Sequence, residues 1–271
     1  AVAVRGIDQV HADLDGTTQH GDRGVTVGGL APDALPGQAH GPVAHPGDGQ
    51  VTSEDQGAGG GRVVIPPGTF MTGPIHLKSN VNLHVTYGAV INFFIEPGKY
   101  MPVVYSRFEG TECMNYSPLV YAYEQENIAI TGKGILDGRA SDENWWRWKR
   151  TQGNDVNTLR NQGETGEPVR QRIFGTGKQL RPNMIQPYKC KNILIEGVTI
   201  KNSPMWHIHP VLSKNITVRN VRVIGHGPNN DGCNPESCKD VLIEGCYFDT
   251  GDDCIAIKSG RNNDGRRVNT P

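Results

Sequence analysis

What this chain has little of narrows its possibilities first. Its 27 Lys and Arg nearly cancel its 28 Asp and Glu, leaving a net charge of −1. No global field therefore draws it to nucleic acid or to an anionic membrane, and an anionic ligand has to be met by local cations. No apolar run approaches the roughly 18–20 residues that a membrane-spanning helix needs. Residues 1–10 lack a basic region followed by an apolar stretch, so no signal peptide is read there. The six cysteines (Cys113, Cys190, Cys233, Cys238, Cys246 and Cys254) form no Cys-x-x-Cys pair and no zinc spacing. Four of them crowd into residues 233–254. There they read as small buried side chains stacked in a core, with a disulfide as the alternative.

Glycine, by contrast, is abundant: 35 of 271 residues, about twice its usual share of ~7%. Together with raised proline and many short Val/Ile runs, it points to short strands and many turns. From residue 57 on, a phrase repeats: Asn, apolar, any, apolar, any, Gly or Asn, apolar. It begins at Asn127, Asn192 and Asn215, at Asp240 with Asp in place of Asn, and more loosely at Asn82. The steps of 23 and 25 residues from Asn192 to Asn215 and Asp240 match one turn of a solenoid. Apolar residues alternate within each copy (Ile193, Ile195, Val198, Ile200), so one face points inward. Asn and Gly stand where the chain must turn a corner, because both tolerate positive φ. A leucine-rich repeat would demand more leucine and helix, and a propeller a period nearer 40. The expected fold is all-β: a right-handed, single-stranded parallel β-helix over residues 57–271. One excursion is expected, at residues 139–180, partly helical near Trp145–Arg150. Residues 1–56 show neither a 3.6 nor a 2.0 period and read as an irregular or out-of-frame leader.

The chemistry concentrates in residues 228–237 and 249–260. Asp231 and Asp252 are 21 residues apart, about one coil, and stacked coils sit about 4.8 Å apart. Asp253 follows directly, and Thr250-Gly251 supplies a bend that can aim both carboxylates outward. Clustered carboxylates repel, which separates their proton affinities and suits one to give a proton while another takes one. Corner residues bonding their own backbone, and a calcium site, are the competing readings.

These residues carry a resemblance. Asn229-Asn230-Asp231 and Gly251-Asp252-Asp253, with the spacing between them, resemble the motifs of the polygalacturonase family of glycoside hydrolases (family 28). The phrases around residues 61–85, 115–138 and 203–211 resemble its bacterial exo-acting branch. The resemblance implies a parallel β-helix that hydrolyses α-1,4-galacturonosyl bonds of pectin with inversion and without a cofactor or metal. It implies Asp252 as general acid, with Asp231 and Asp253 holding and deprotonating the attacking water. A Gly-His-Gly and an Arg-Ile-Lys that this family carries after the Asp pair do not occur before Pro271, so the domain is expected to be carboxyl-terminally incomplete. Gly225-His226-Gly227 spells the first of them in the wrong order.

Around the carboxylates, Asn229, His209, His226 and Lys258 are candidate substrate-binding residues. Lys258 would answer a uronate carboxylate, His209 would face the cleft, and His226 would flank it. Trp145, Trp146 and Trp148 can stack on sugar or pack a loop onto the barrel, and Arg181 can reach the cleft. The partner expected is a pectic polysaccharide or oligogalacturonide, with no nucleic acid and no membrane. The protein is expected to be a monomer, secreted or periplasmic because pectin is polymeric. The rival readings are a calcium-dependent lyase on the same fold and a non-catalytic carbohydrate-binding β-helix.

Overall fold

A computed structural model describes residues 60–270, together with the backbone of three short strands at Arg23–Gly24, Val43–Ala44 and Thr52–Glu54. The reading of residues 1–56 as a leader otherwise lies outside the described residues. From Gly61 the chain winds as a right-handed parallel β-helix, the hand that twisted parallel strands favour. One long sheet stacks Gly61–Ile65, Val81–Val85, Glu126–Gly132, Lys191–Glu196, Lys214–Arg219 and Lys239–Glu244. A second stacks Gly68–Thr72, Ala89–Phe93, Ile135–Asp137, Thr199–Lys201, Arg222–Gly225 and Tyr247–Thr250. The third face starts as strands (Ile75–His76, Val120–Tyr123, Ile185–Tyr188) and continues as isolated bridges, Ile208–Cys233–Ile255 and Val211–Glu236–Lys258.

Alternation puts the core between these faces. Leu83, Ile130, Ile195 and Val218 stand in register on four successive coils and are buried. Each such side chain contributes about 1.5–3 kcal/mol through the surface it removes from water. The corners are built by a second ladder. Asn127 donates to the side chain of Asn80, Asn192 to Asn127 and Asn215 to Asn192, across 47, 65 and 23 residues. All four have φ between 55° and 64°, a conformation that asparagine tolerates better than most side chains. At the next corner Gly197 (φ 78°) is required outright: a Cβ there would lie 2.4 Å from the Gly132 carbonyl oxygen. All six cysteines are free thiols; Cys190 and Cys233 lie in the core and Cys238 and Cys246 pack against it.

Two expectations need correction. The second-coil repeat starts at Asn80 rather than Asn82, because Ala129 pairs with Asn82 and so Asn127 stands over Asn80. A shift of two preserves the alternation, so period alone does not separate the frames. The coils are interrupted twice, not once: residues 94–117 form an antiparallel hairpin, Val104–Phe108 with Thr111–Asn115. Its β-rich composition matches that of the coil strands, which hides it. The second excursion is helical at Trp146–Arg150, as expected, in the form of a 3-10 helix, and an α-helix that was not expected follows at Gly153–Thr165. Only Val156 and Leu159 among its apolar side chains are buried, too few to register as a helical period. Trp145 and Trp148 are buried in the core, and Trp146 donates Nε1–H to the Ser203 carbonyl. The three tryptophans therefore fasten this excursion to the barrel rather than offering faces to sugar.

Candidate active site

An open recess lies where the last bridged coils of the third face meet the tip of the hairpin, Glu109-Gly110, and the segment 257–260. Its acidic end is made by two adjacent coils. The strand Tyr247–Thr250 ends, and Gly251 passes so close to the previous coil that a Cβ would lie 2.8 Å from the His226 backbone. The chain then bends, and the backbone of Asp253 accepts from Gly232 N–H at 2.8 Å. The pairings Cys233–Ile255 and Glu236–Lys258 set an offset of 22 residues. In that register Asp231 stands beside Asp253, and Asp252 is displaced by one position. The result brings carboxylate oxygens of Asp231, Asp252 and Asp253 within 4.8 Å of one another, with Asp231 buried and the other two exposed.

The environments of these carboxylates differ. The Asp231 side chain is 4% exposed. Its Oδ2 accepts from Asn234 Nδ2 at 2.7 Å and stands 3.5 Å from Lys258 Nζ, while Oδ1 has no partner. Burial, with Asp252 and Asp253 acting in the same sense, raises its pKa against the opposing pull of Asn234 and Lys258. A buried carboxyl of raised proton affinity beside two solvated ones is an arrangement suited to proton transfer. Three converging carboxylates also present the oxygens a hard cation such as calcium takes. Here, however, the lysine amine already supplies positive charge against the most buried of them.

The remaining sequence candidates separate into recess and support. Asn229, at φ 56°, lines the recess. Its Oδ1 accepts from Arg181 Nη2 at 2.8 Å. Arg181 is buried rather than in the cleft. It donates to the carbonyls of Pro204 and Pro228 at 3.0 and 2.6 Å, and so braces the Asn229–Asp231 turn. Burial pushes its pKa down to about 10, which leaves it charged at neutral pH. Lys258 lies in the recess, its amine 4.5 Å over the Trp206 ring. His226 is exposed, bonds Asp249 at 2.7 Å and is not among the recess-lining residues. His209, expected to face the cleft, is fully buried: Asn183, Gln186 and Glu236 occupy both its ring nitrogens, so it has none left for sugar.

Glu236, Trp206 and the Glu109-Gly110 tip also line the recess and were not found by reading the sequence. The sequence held a signal for Glu236. It follows Asp231 by five residues, as Lys258 follows Asp253 by five, so two adjacent coils repeat one carboxylate-to-charge spacing.

Comparisons with known proteins agree with this fold. Glycosyl hydrolases family 28 matches residues 61–265. A probable polygalacturonase of Vitis vinifera is 31% identical over 210 residues, which cover 74% of this chain and 38% of that protein. A hyperthermoactive exopolygalacturonase from Thermotoga maritima, of known structure, is 55% identical with a TM-score of 0.76; the match covers 78% of this chain and 50% of that one. A polygalacturonase structure from Erwinia carotovora, 24% identical with a TM-score of 0.58, covers 74% of this chain and 51% of its own and shares the fold. The chain thus spans about two fifths to one half of the length of these relatives.

Proposed function

The chain belongs to glycosyl hydrolases family 28, and from that premise we propose that it hydrolyses α-1,4-galacturonosyl bonds of a pectic polysaccharide by single displacement. The observation that carries this reading is the convergence of Asp231, Asp252 and Asp253 at one end of an open recess. Asp252, exposed at the mouth, protonates the leaving glycosidic oxygen. Asp231 and Asp253, side by side on adjacent coils, hold the water and take its proton. The raised proton affinity of Asp231 makes its ionised form a stronger base than an ordinary carboxylate. Lys258 supplies the local cation that a chain of net charge −1 needs for a uronate, with Trp206 beneath it as a flat apolar floor. Asn229 lines the approach. No cofactor takes part. A polymeric substrate outside the cell supports a place of action in the periplasm or beyond it.

Inverting glycosidases commonly separate their two carboxyl groups by about 6.5–9.5 Å, and retaining enzymes by about 5–5.5 Å. The oxygens here approach within 4.8 Å. That figure is the approach of the nearest oxygens, one from each carboxylate, and not the separation between carboxyl groups to which those ranges refer. The anomer released decides the point. Oligogalacturonide is incubated with the chain, and proton NMR of the first minutes should show the β-anomer together with new reducing ends. Early α-anomer would replace single by double displacement. Unsaturated product absorbing in the near ultraviolet, lost on adding chelator, would replace hydrolysis by a calcium-dependent elimination.

A further inference from the structure

Beneath the recess runs a buried polar chain that the proposed chemistry does not use. It starts at two amides whose orientation is fixed. Asn183 Oδ1 accepts from Trp206 N–H, and Gln186 Oε1 accepts from the Ser106 hydroxyl, so both amide nitrogens turn to His209. Each donates to His209 Nδ1 at 2.9 Å. That nitrogen is thereby an acceptor, so the ring proton sits on Nε2 and is donated to Glu236 Oε2 at 2.8 Å. Glu236 Oε1 in turn lies 3.5 Å from Arg107 Nε. His209, Glu236 and Arg107 are all buried to about 1% exposure or less. A histidine held in this neutral tautomer brings no charge, so Glu236 is the anion facing the buried Arg107 guanidinium.

Glu236 has a second cation beside it. Its backbone bridges that of Lys258 on the next coil, which stacks the two side chains on one face of the sheet. Lys258 nevertheless sends its amine to Asp231, with Trp206 under it. Apart from the exposed Asp252 and Asp253, the charges Arg107, Glu236, Lys258 and Asp231 sum to zero. We infer that Glu236 is a positioning residue for the recess: drawn inward by His209 and Arg107, it cancels the buried guanidinium and leaves the Lys258 amine to Asp231 and to an incoming anion. The inference rests on the reading of Asp231 and Lys258 as active-site groups.

Charge balance gives it a signature that a purely structural ion pair lacks. The groups facing Asp231 are Lys258, Asp252, Asp253 and Asn234; those facing Glu236 are His209, Arg107 and Lys258. Glu236→Gln keeps the bond from His209 and removes one negative charge. Arg107→Met removes one positive charge. The double variant removes both and restores the sum. The Asp231 carboxyl is titrated by carbon-13 NMR in all four proteins, and KM for oligogalacturonide is measured beside it. Expected are a fall in the Asp231 midpoint in the Glu236 variant, a rise in the Arg107 variant, each on the order of half a pH unit or about threefold in the proton equilibrium, and return towards the wild-type value in the double variant. KM should fall in the first variant and rise in the second. If Glu236→Gln alone does not fold, the double variant compared with Arg107→Met carries the same test. Identical Asp231 midpoints in the folded variants overturn the inference while leaving the hydrolase reading intact. A wild-type chain that releases no reducing ends overturns the hydrolase reading, and the NMR titration still reports on Glu236.

Discussion

Two sides of the same coils follow different rules. On the first long sheet, strands of five to seven residues stack in continuous register, apolar side chains sit over one another, and the asparagine ladder closes each corner. On the third face, coils after Tyr188 touch only through isolated bridges. There Asp231 Oδ1, Asn234 Oδ1, Glu236 Oε1 and His207 Nε2, with Arg107 Nη2 of the hairpin packed beside them, are buried without a hydrogen-bond partner, whereas Arg62 Nε is such an atom on a strand of the first sheet. Such groups are costly where packing is the only purpose. The contrast fits the proposal that the bridged side carries the chemistry while the sheet side carries stability, in the same 22–25-residue turn of chain.

The sharpest way to break that division is to cross it with two substitutions. Asp252→Asn, at an exposed position, should lower hydrolysis by about 10²–10⁴ if Asp252 is the general acid. The melting temperature should move by no more than about 2 °C, because surface changes away from special features cost little. Ile195→Ala, in the buried stack between Ile130 and Val218, should do the reverse. It should cost about 2–5 kcal/mol of stability, with turnover at 25 °C within about twofold of wild type while the protein stays folded. Equal loss of activity in both variants would remove the distinction.

The same division explains what the sequence made legible. The sheet side repeats, and repetition is visible: Asn192, Asn215 and Asp240 announce the coil length, and their alternating apolar neighbours announce the inward face. Frame and interruption were less visible. Asn80 and Asn82 differ by two positions, to which a period of two is blind, and the hairpin 104–115 is made of the same residue types as the coils it interrupts. On the bridged side the carboxylate motifs were legible as motifs, but their registration was not: 21 residues paired Asp231 with Asp252, whereas the bridges pair it with Asp253. His209 shows the deepest limit. Alternation places His207 and His209 on one face, but whether that face looks out to sugar or in to Glu236 depends on where the chain bends, and a bend is set by contacts from other coils.

A third effect is smaller and arises within the bridged side. His207 is buried and uncharged, its ring Nδ1 2.9 Å from the Asp231 carbonyl. Burial lowers its pKa from 6.5 to about 4, against the pull of its hydrogen bond to the Asp231 carbonyl. The unfolded chain therefore takes up this proton first as pH falls. The stabilisation is fully present above about 6.5 and drains away towards pH 4, amounting to roughly 3 kcal/mol for this group. Glu236 and Asp264, both with lowered pKa, add their losses further down, as pH falls below about 4.5 and 3.8. Urea unfolding at pH 7 and pH 4.5 should show the drop, and His207→Gln should flatten it. A variant with the wild-type pH slope would assign the loss to the other buried groups, His76 and His209 among them, whose pKa burial also lowers.

The smallest effect tests whether the asparagine ladder holds the corners by hydrogen bonding or by conformation. Asn192 does both: it donates to Asn127 and accepts from Asn215 at 2.7 and 3.0 Å, and it sits at φ 58°. Asn192→Gly removes the two side-chain bonds but fits the backbone; these partly buried bonds are worth about 0.5–1.5 kcal/mol each. Asn192→Ala removes the same bonds and also forces a Cβ into the left-handed region, at roughly 1 kcal/mol more. Alanine should therefore be less stable than glycine by about 1 kcal/mol, although alanine is the stiffer residue in the unfolded chain and would otherwise gain from that. Glycine and alanine of equal stability would mean that the corner relaxes, and that the ladder acts through its hydrogen bonds alone. In neither variant should hydrolysis change by more than about twofold, because Asn192 belongs to the corner ladder and not to the residues that line the recess.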